Sequence, residues 1–240
     1  MRRLKELMAV RWTQSKLNQI NLTLRVLMNC LLAFIFFGLP LFLSAGTLRF
    51  WNAWLFLALF EIPFLIILIY LALKNPTLAE KRLQGNEQEK PQRLIMALLI
   101  SSAIIMLVVS GLDYREHWSS VPIVVIVISS ILVIGGFALL FFVMRENSYA
   151  SRVVEIQEDQ KLIDTGLYGV IRHPMYLAFL IVFLFAAMVL GSWYALIPAF
   201  CIPILVTFRI RDEEKRLLAG LKGYDEYTKK VRFRLIPFIW

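Results

Sequence analysis

The chain has 240 residues, is 59% hydrophobic and has a mean hydropathy of +0.69, too apolar for a soluble globular domain of this length. Its formal net charge of +9 invites a nucleic-acid reading, but the basic residues cluster beside apolar blocks, where they meet anionic headgroups instead. The two cysteines, Cys30 and Cys201, both fall inside apolar blocks and can build neither a disulfide framework nor a zinc site, so no metal is expected.

Residues 1–21 are basic with apolar residues interspersed, including Leu4, Leu7, Trp12 and Ile20, the pattern of an interfacial segment at the headgroup level. Six apolar blocks follow, each near the roughly 20 residues that cross a bilayer: Leu22–Leu43, Phe50–Leu73, Leu94–Leu112, Val121–Met144, Met175–Leu190 and Trp193–Phe208. The first is long and has no small-residue cleavage pattern after it, so it reads as a retained helix. Of the 26 basic residues, all but Arg49 and Arg115 lie in the N-terminal segment, the second and fourth loops and the C-terminal tail. The positive-inside rule then predicts both termini on the cytoplasmic side and an even number of spans.

Within the spans, Glu61 is the one deeply placed ionisable residue. It is either functional or a protonated donor to a carbonyl freed by Pro63. Gly135-Gly136 suits close helix packing. The second loop carries ordinary turn signals, Asn75-Pro76 and Gly85-Asn86, and His117 in the third loop has no partner for metal binding. The predicted organisation is a basic segment (1–21), a four-helix membrane region (22–144) and a cofactor-binding region that includes the last hairpin (145–240).

Chemistry concentrates in the two flanks of that hairpin, which a Gly191-Ser192 turn holds side by side. In the first flank, Val153, Glu155 and Gln157 alternate as in a short extended stretch, Asp164-Thr165-Gly166 forms a turn, and Arg172-His173-Pro174 leads into the fifth block. Proline belongs in the first turn of a helix, so His173 falls at the N-cap, where free N–H groups and the helix dipole favour an anion. In the second flank the sixth block runs on as a helix to Gly220 or Gly223, carrying Glu213 and Glu214. Arg209 and Glu213 have the i,i+4 spacing of a plain surface ion pair, so a functional role requires one carboxylate to turn toward the first flank.

Taken in order, Gly166-Leu167-Tyr168, Arg172-His173-Pro174-Met175-Tyr176, Arg209-Ile210-Arg211-Asp212-Glu213-Glu214, Gly223-Tyr224-Asp225-Glu226-Tyr227 and Val231 to Pro237 resemble the isoprenylcysteine carboxyl methyltransferase family. They resemble the phospholipid N-methyltransferases more loosely. The resemblance implies an all-α polytopic membrane protein of about six transmembrane helices, with a small cytoplasmic cofactor-binding region near the C-terminus. It also implies S-adenosylmethionine as cofactor and a lipid-like or prenyl-type acceptor, methylated at a carboxylate. That acceptor is a lipophilic small molecule or lipidated substrate entering from the bilayer; membrane lipids are the other partners, and no nucleic acid is expected. Carried over, Leu162, Gly166, Tyr168, His173, Tyr176, Glu213 and Glu214 face the cofactor. Arg172, Arg209 and Glu213 form the catalytic set, the arginines orienting the substrate's head or the cofactor's carboxylate. The expected location is the cell membrane of a prokaryote. Two alternatives stand beside it: a phospholipid N-methyltransferase, and an NADPH-dependent membrane sterol or steroid reductase, which shows a similar Arg-His pair near a C-terminal helix; Pro174 and Glu213-Glu214 fit the methyltransferase pattern better.

Overall fold

The computed structural model describes residues 2–84, 90–150 and 160–240, with side chains from residue 22 onward except at 23 and 84. The described chain is helical and holds no strand: α1 (Arg2–Ala45), α2 (Trp51–Lys74), α3 (Pro76–Gln84), α4 (Lys90–Glu116), α5 (Ile123–Glu146), α6 (Pro174–Val189), α7 (Leu196–Gly220) and α8 (Tyr224–Lys230). The basic segment 2–21 is helical and continuous with the first apolar block, so α1 is 44 residues long, about 66 Å at 1.5 Å per residue. Gly85-Asn86 and the alternating stretch 153–158 lie outside the described residues.

Four segments are long and apolar enough to cross a membrane: Leu24–Ala45, Trp51–Lys74, Lys90–Glu116 and Ile123–Glu146. They make this a multi-pass membrane protein. Outward-facing side chains such as Leu31, Leu43, Ile66, Leu73, Val124 and Ile131 are more than half exposed, as lipid-facing positions must be. The expected fifth and sixth spans differ from these four. The α6 helix is apolar but only 16 residues long, about 24 Å. The α7 helix carries Pro203 and is apolar only in its first half, because its second half holds the charged run from Arg209 to Arg216.

Packing explains why α6 sits where it does. The α4 helix lies between α1 and α7, while α5 packs on both α6 and α2. At the α5–α6 crossing a Cβ on Gly136 would come within 2.8 Å of Val182 Cγ2 and 3.2 Å of the Ala178 carbonyl, so only glycine allows this approach; Gly135 has open space beside it. Phe60 joins the same layer, with ring centroids 5.2 Å from Phe137 and 6.2 Å from Phe183.

Polar side chains tie the hairpin turn down. Gly191 takes φ +80, and Asn52 donates to the Val189 carbonyl at 2.9 Å. Buried Asp113 accepts from Ser119 N at 2.7 Å, Ser119 Oγ at 2.6 Å and Ser192 Oγ at 2.5 Å. A carboxylate taken from water this way is held only by such donors, and it locks the end of α4 to the α6–α7 turn. Glu61 has a buried Oε1 with no hydrogen-bond partner among the described residues.

Candidate active site

The opposite end of the bundle holds the residues singled out by sequence. His173 is the N-cap of α6 and Pro174 opens the helix. The His173 side chain makes no capping bond; its carbonyl accepts from Tyr176 N at 3.1 Å. The backbone here is pinned by the C-terminal tail, with Arg172 N donating to Phe233 O at 3.0 Å and His173 N to Arg234 O at 2.9 Å.

Glu214, on the continuation of α7, is buried and draws this end together. It accepts from Arg172 Nε and Arg234 Nε, each at 2.6 Å, and lies 3.4 Å from His173 Nε2. Burial acts to raise its pKa, but hydrogen bonds from His173, Arg234 and Arg172 outweigh that and pull the carboxyl from 4.5 down to about 2. Arg172 is equally committed: its Nη1 donates to Val231 O at 2.8 Å and Arg232 O at 3.2 Å. Arg172 and Glu214 therefore clamp α6, α7 and the tail into one body.

A second buried network runs beside it. Tyr176 Oη donates to Glu213 Oε2 at 2.6 Å and accepts from Arg209 Nε at 2.9 Å. Arg209 Nη1 reaches Gln92 Oε1 at 2.8 Å, and Gln92 Nε2 donates to Asp212 Oδ2 at 2.5 Å. Arg209 is thus 4% exposed, too buried for the solvated surface pair its spacing suggests. Gln92, at the start of α4, is wholly buried and carries no sequence signal that marks it.

These networks face one cavity of about 470 Å³, a size that suits a small-molecule ligand. Leu162, Tyr168, Arg172, His173, Tyr176, Arg209 and Glu213 all line it. Glu214 and Gly166 do not. Glu214 stands one layer behind the wall, and Gly166, with φ +53, opens the short turn Gly166–Gly169 against Glu146. Tyr168 is held by Asn147 Nδ2 at 2.9 Å, and burial pushes its phenol up to about 12, so it stays neutral. From this polar end the cavity continues between α1, α2, α4, α6 and α7 along Phe37, Phe64, Leu99, Ala103, Phe183 and Ile202.

Sequence reasoning missed Arg82, Asn147 and Tyr149 on the wall. Arg82 comes from α3, in a loop that reads as ordinary turns. Its Nε donates to Ala150 O and its Nη2 to Met175 Sδ, both at 2.8 Å. The signal was the amphipathic run Leu78-Ala79, which buries α3 against the core and so aims Arg82 inward.

Residues 125–219 match the isoprenylcysteine carboxyl methyltransferase (ICMT) family. The match runs from α5 through the Arg172-His173-Pro174 turn and the hairpin to Glu213-Glu214, the segments that surround the polar end of the cavity. It bears out the family resemblance read from the sequence. A Delta(14)-sterol reductase of Mus musculus is also similar, 33% identical over 85 residues, which are 34% of this chain and 20% of that protein. The chain therefore spans about a fifth of that relative's length.

Proposed function

We propose that this protein is an integral membrane methyltransferase that uses S-adenosylmethionine to methylate a carboxylate on a lipid-like or prenyl-type acceptor. The observation that carries this reading is a cavity whose polar end, within the ICMT-matched segment, opens into an apolar channel between the helices. A cofactor with a charged amino acid and a nucleoside suits the polar end; a lipid tail suits the channel. In this reading α6 and α7 complete six spans, both termini face the cytoplasm, and the polar end lies at the cytoplasmic boundary.

The residues present fit such a cofactor. The wall combines cationic groups, the Glu213 carboxylate and a buried phenol at Tyr224 with no hydrogen-bond partner among the described residues. S-adenosylmethionine supplies a methyl group on a positively charged sulfur. Glu213, fixed by Tyr176, balances that charge or accepts hydroxyl hydrogen bonds. Arg209 and Arg172 orient carboxylates, and the apolar channel excludes water, which would otherwise stabilise the separated charges more than the transition state. Alignment of donor and acceptor supplies the rest. A carboxylate acceptor needs no general base, which agrees with a wall whose carboxylate, Glu213, is committed to Tyr176.

Membranes containing the protein, incubated with methyl-labelled S-adenosylmethionine, test this. Label should move into organic-extractable material and be released by mild base as volatile methanol, as for a methyl ester. Label that base leaves non-volatile, on an amine headgroup, would favour the phospholipid N-methyltransferase alternative. The similarity to the Delta(14)-sterol reductase favours a second reading, a nicotinamide-dependent reductase, which predicts saturable NADPH binding and no label transfer.

A further inference from the structure

Tyr224 follows Gly223, whose φ of +82 caps the seven-residue α8 and sets the direction of the next side chain. Tyr224 is 4% exposed, lines the cavity, and its hydroxyl is buried with no hydrogen-bond partner among the described residues. A buried unsatisfied hydroxyl costs free energy and is retained where a ligand completes it. Its neighbour Tyr227 differs: that hydroxyl donates to Tyr168 O at 2.7 Å. Around Tyr224 the wall is apolar and aromatic, formed by Leu221 and Tyr227 with Leu162 and Leu217, with Val231 packed in the same cluster, and the two tyrosine rings lie 5.6 Å apart.

Such a slot takes a flat group with apolar faces and an acceptor at its edge. Burial first, then the nearby Glu214 and Glu213 charges, push the Tyr224 phenol well above its usual pKa, so it keeps its proton and donates. Those two carboxylates also disfavour an anionic acceptor there. We propose that Tyr224 is a ligand-positioning residue whose hydroxyl donates to a neutral ring nitrogen of an adenine nucleoside lodged between Leu162, Leu217 and the Tyr224–Tyr227 pair. The assignment rests on the cofactor reading above, but the nucleoside chemistry is shared by S-adenosylmethionine and NADPH.

The test compares Tyr224→Phe with wild type in detergent, by thermal melting and by calorimetry with S-adenosylhomocysteine, NADPH and 5′-methylthioadenosine. Because the hydroxyl has no partner among the described residues, Tyr224→Phe should melt at or above wild type while binding S-adenosylhomocysteine about tenfold more weakly. The same factor should appear with 5′-methylthioadenosine, which keeps the nucleoside and lacks the amino acid. Tyr227→Phe, which breaks a real hydrogen bond, should lower the melting temperature. Equal affinity of wild type and Tyr224→Phe overturns the Tyr224 assignment alone, as does a clear fall in the variant's melting temperature or a penalty that vanishes with the fragment. A tenfold penalty seen with NADPH while S-adenosylhomocysteine fails to bind keeps the nucleoside assignment and removes the methyl donor. Failure of all three ligands to bind wild type overturns both.

Discussion

Glu213 and Glu214 are adjacent in sequence and lead separate lives. Helical spacing alone cannot tell which turns inward, and the surroundings decide it: Glu213 meets Tyr176 on the cavity wall, and Glu214 meets two arginines behind it. Glu214→Ala leaves Arg172 buried without its counter-charge, so we expect a loss of roughly 3 kcal/mol of stability, read as a large fall in melting temperature. Glu213→Ala should change melting far less and weaken cofactor binding about tenfold, the scale of a lost charge-assisted hydrogen bond. Reversed effects would show that the two roles are exchanged. Lys229→Ala, which removes only an exposed pair with Asp225, should be silent in both assays.

The Glu214 carboxyl also sets an acid limit. Its folded pKa of about 2 lies below the ordinary 4.5, so its stabilisation is complete above about pH 4.5 and lost as pH falls toward 2. Melting temperature of wild type should fall across that window, and Glu214→Gln, less stable at neutral pH, should show a shallower fall. Parallel slopes would mean that the carboxylate is not held ionised by its neighbours.

At the scale of elements, much of the hairpin was legible because its chemistry is local. Proline placed the start of α6, the Gly191-Ser192 turn placed the hairpin, and the charged run placed the continuation of α7. Gly136 was legible as a packing residue, though not that Gly135 beside it faces open space. Gly136→Leu should drive α5 off α6 and cost roughly 1–3 kcal/mol, with Gly135→Leu tolerated; similar melting of the two variants would contradict this crossing. What the sequence hid was long-range: Gln92 joins the site because α4 packs beside α7, and Arg82 because α3 packs on α1 and α2 within reach of Met175. The tail is another case. Backbone bonds from Arg172 and His173 to Phe233 and Arg234 carry no side-chain signature, so nothing in the composition announces that the tail braces the polar end of the cavity.

For the whole molecule, one chain gives two solvents a shared cavity. Apolar side chains face outward along the bundle, buried ion pairs gather at one end, and the apolar channel runs from that end between the helices. In the proposed reading, the basic-residue asymmetry puts that end in the cytoplasm together with both termini. The most direct measurement of the central claim is calorimetry of the purified protein with S-adenosylhomocysteine and, separately, NADPH. The account predicts saturable one-site binding of S-adenosylhomocysteine, weakened about tenfold by Glu213→Ala. Binding of NADPH with no heat from S-adenosylhomocysteine would contradict it.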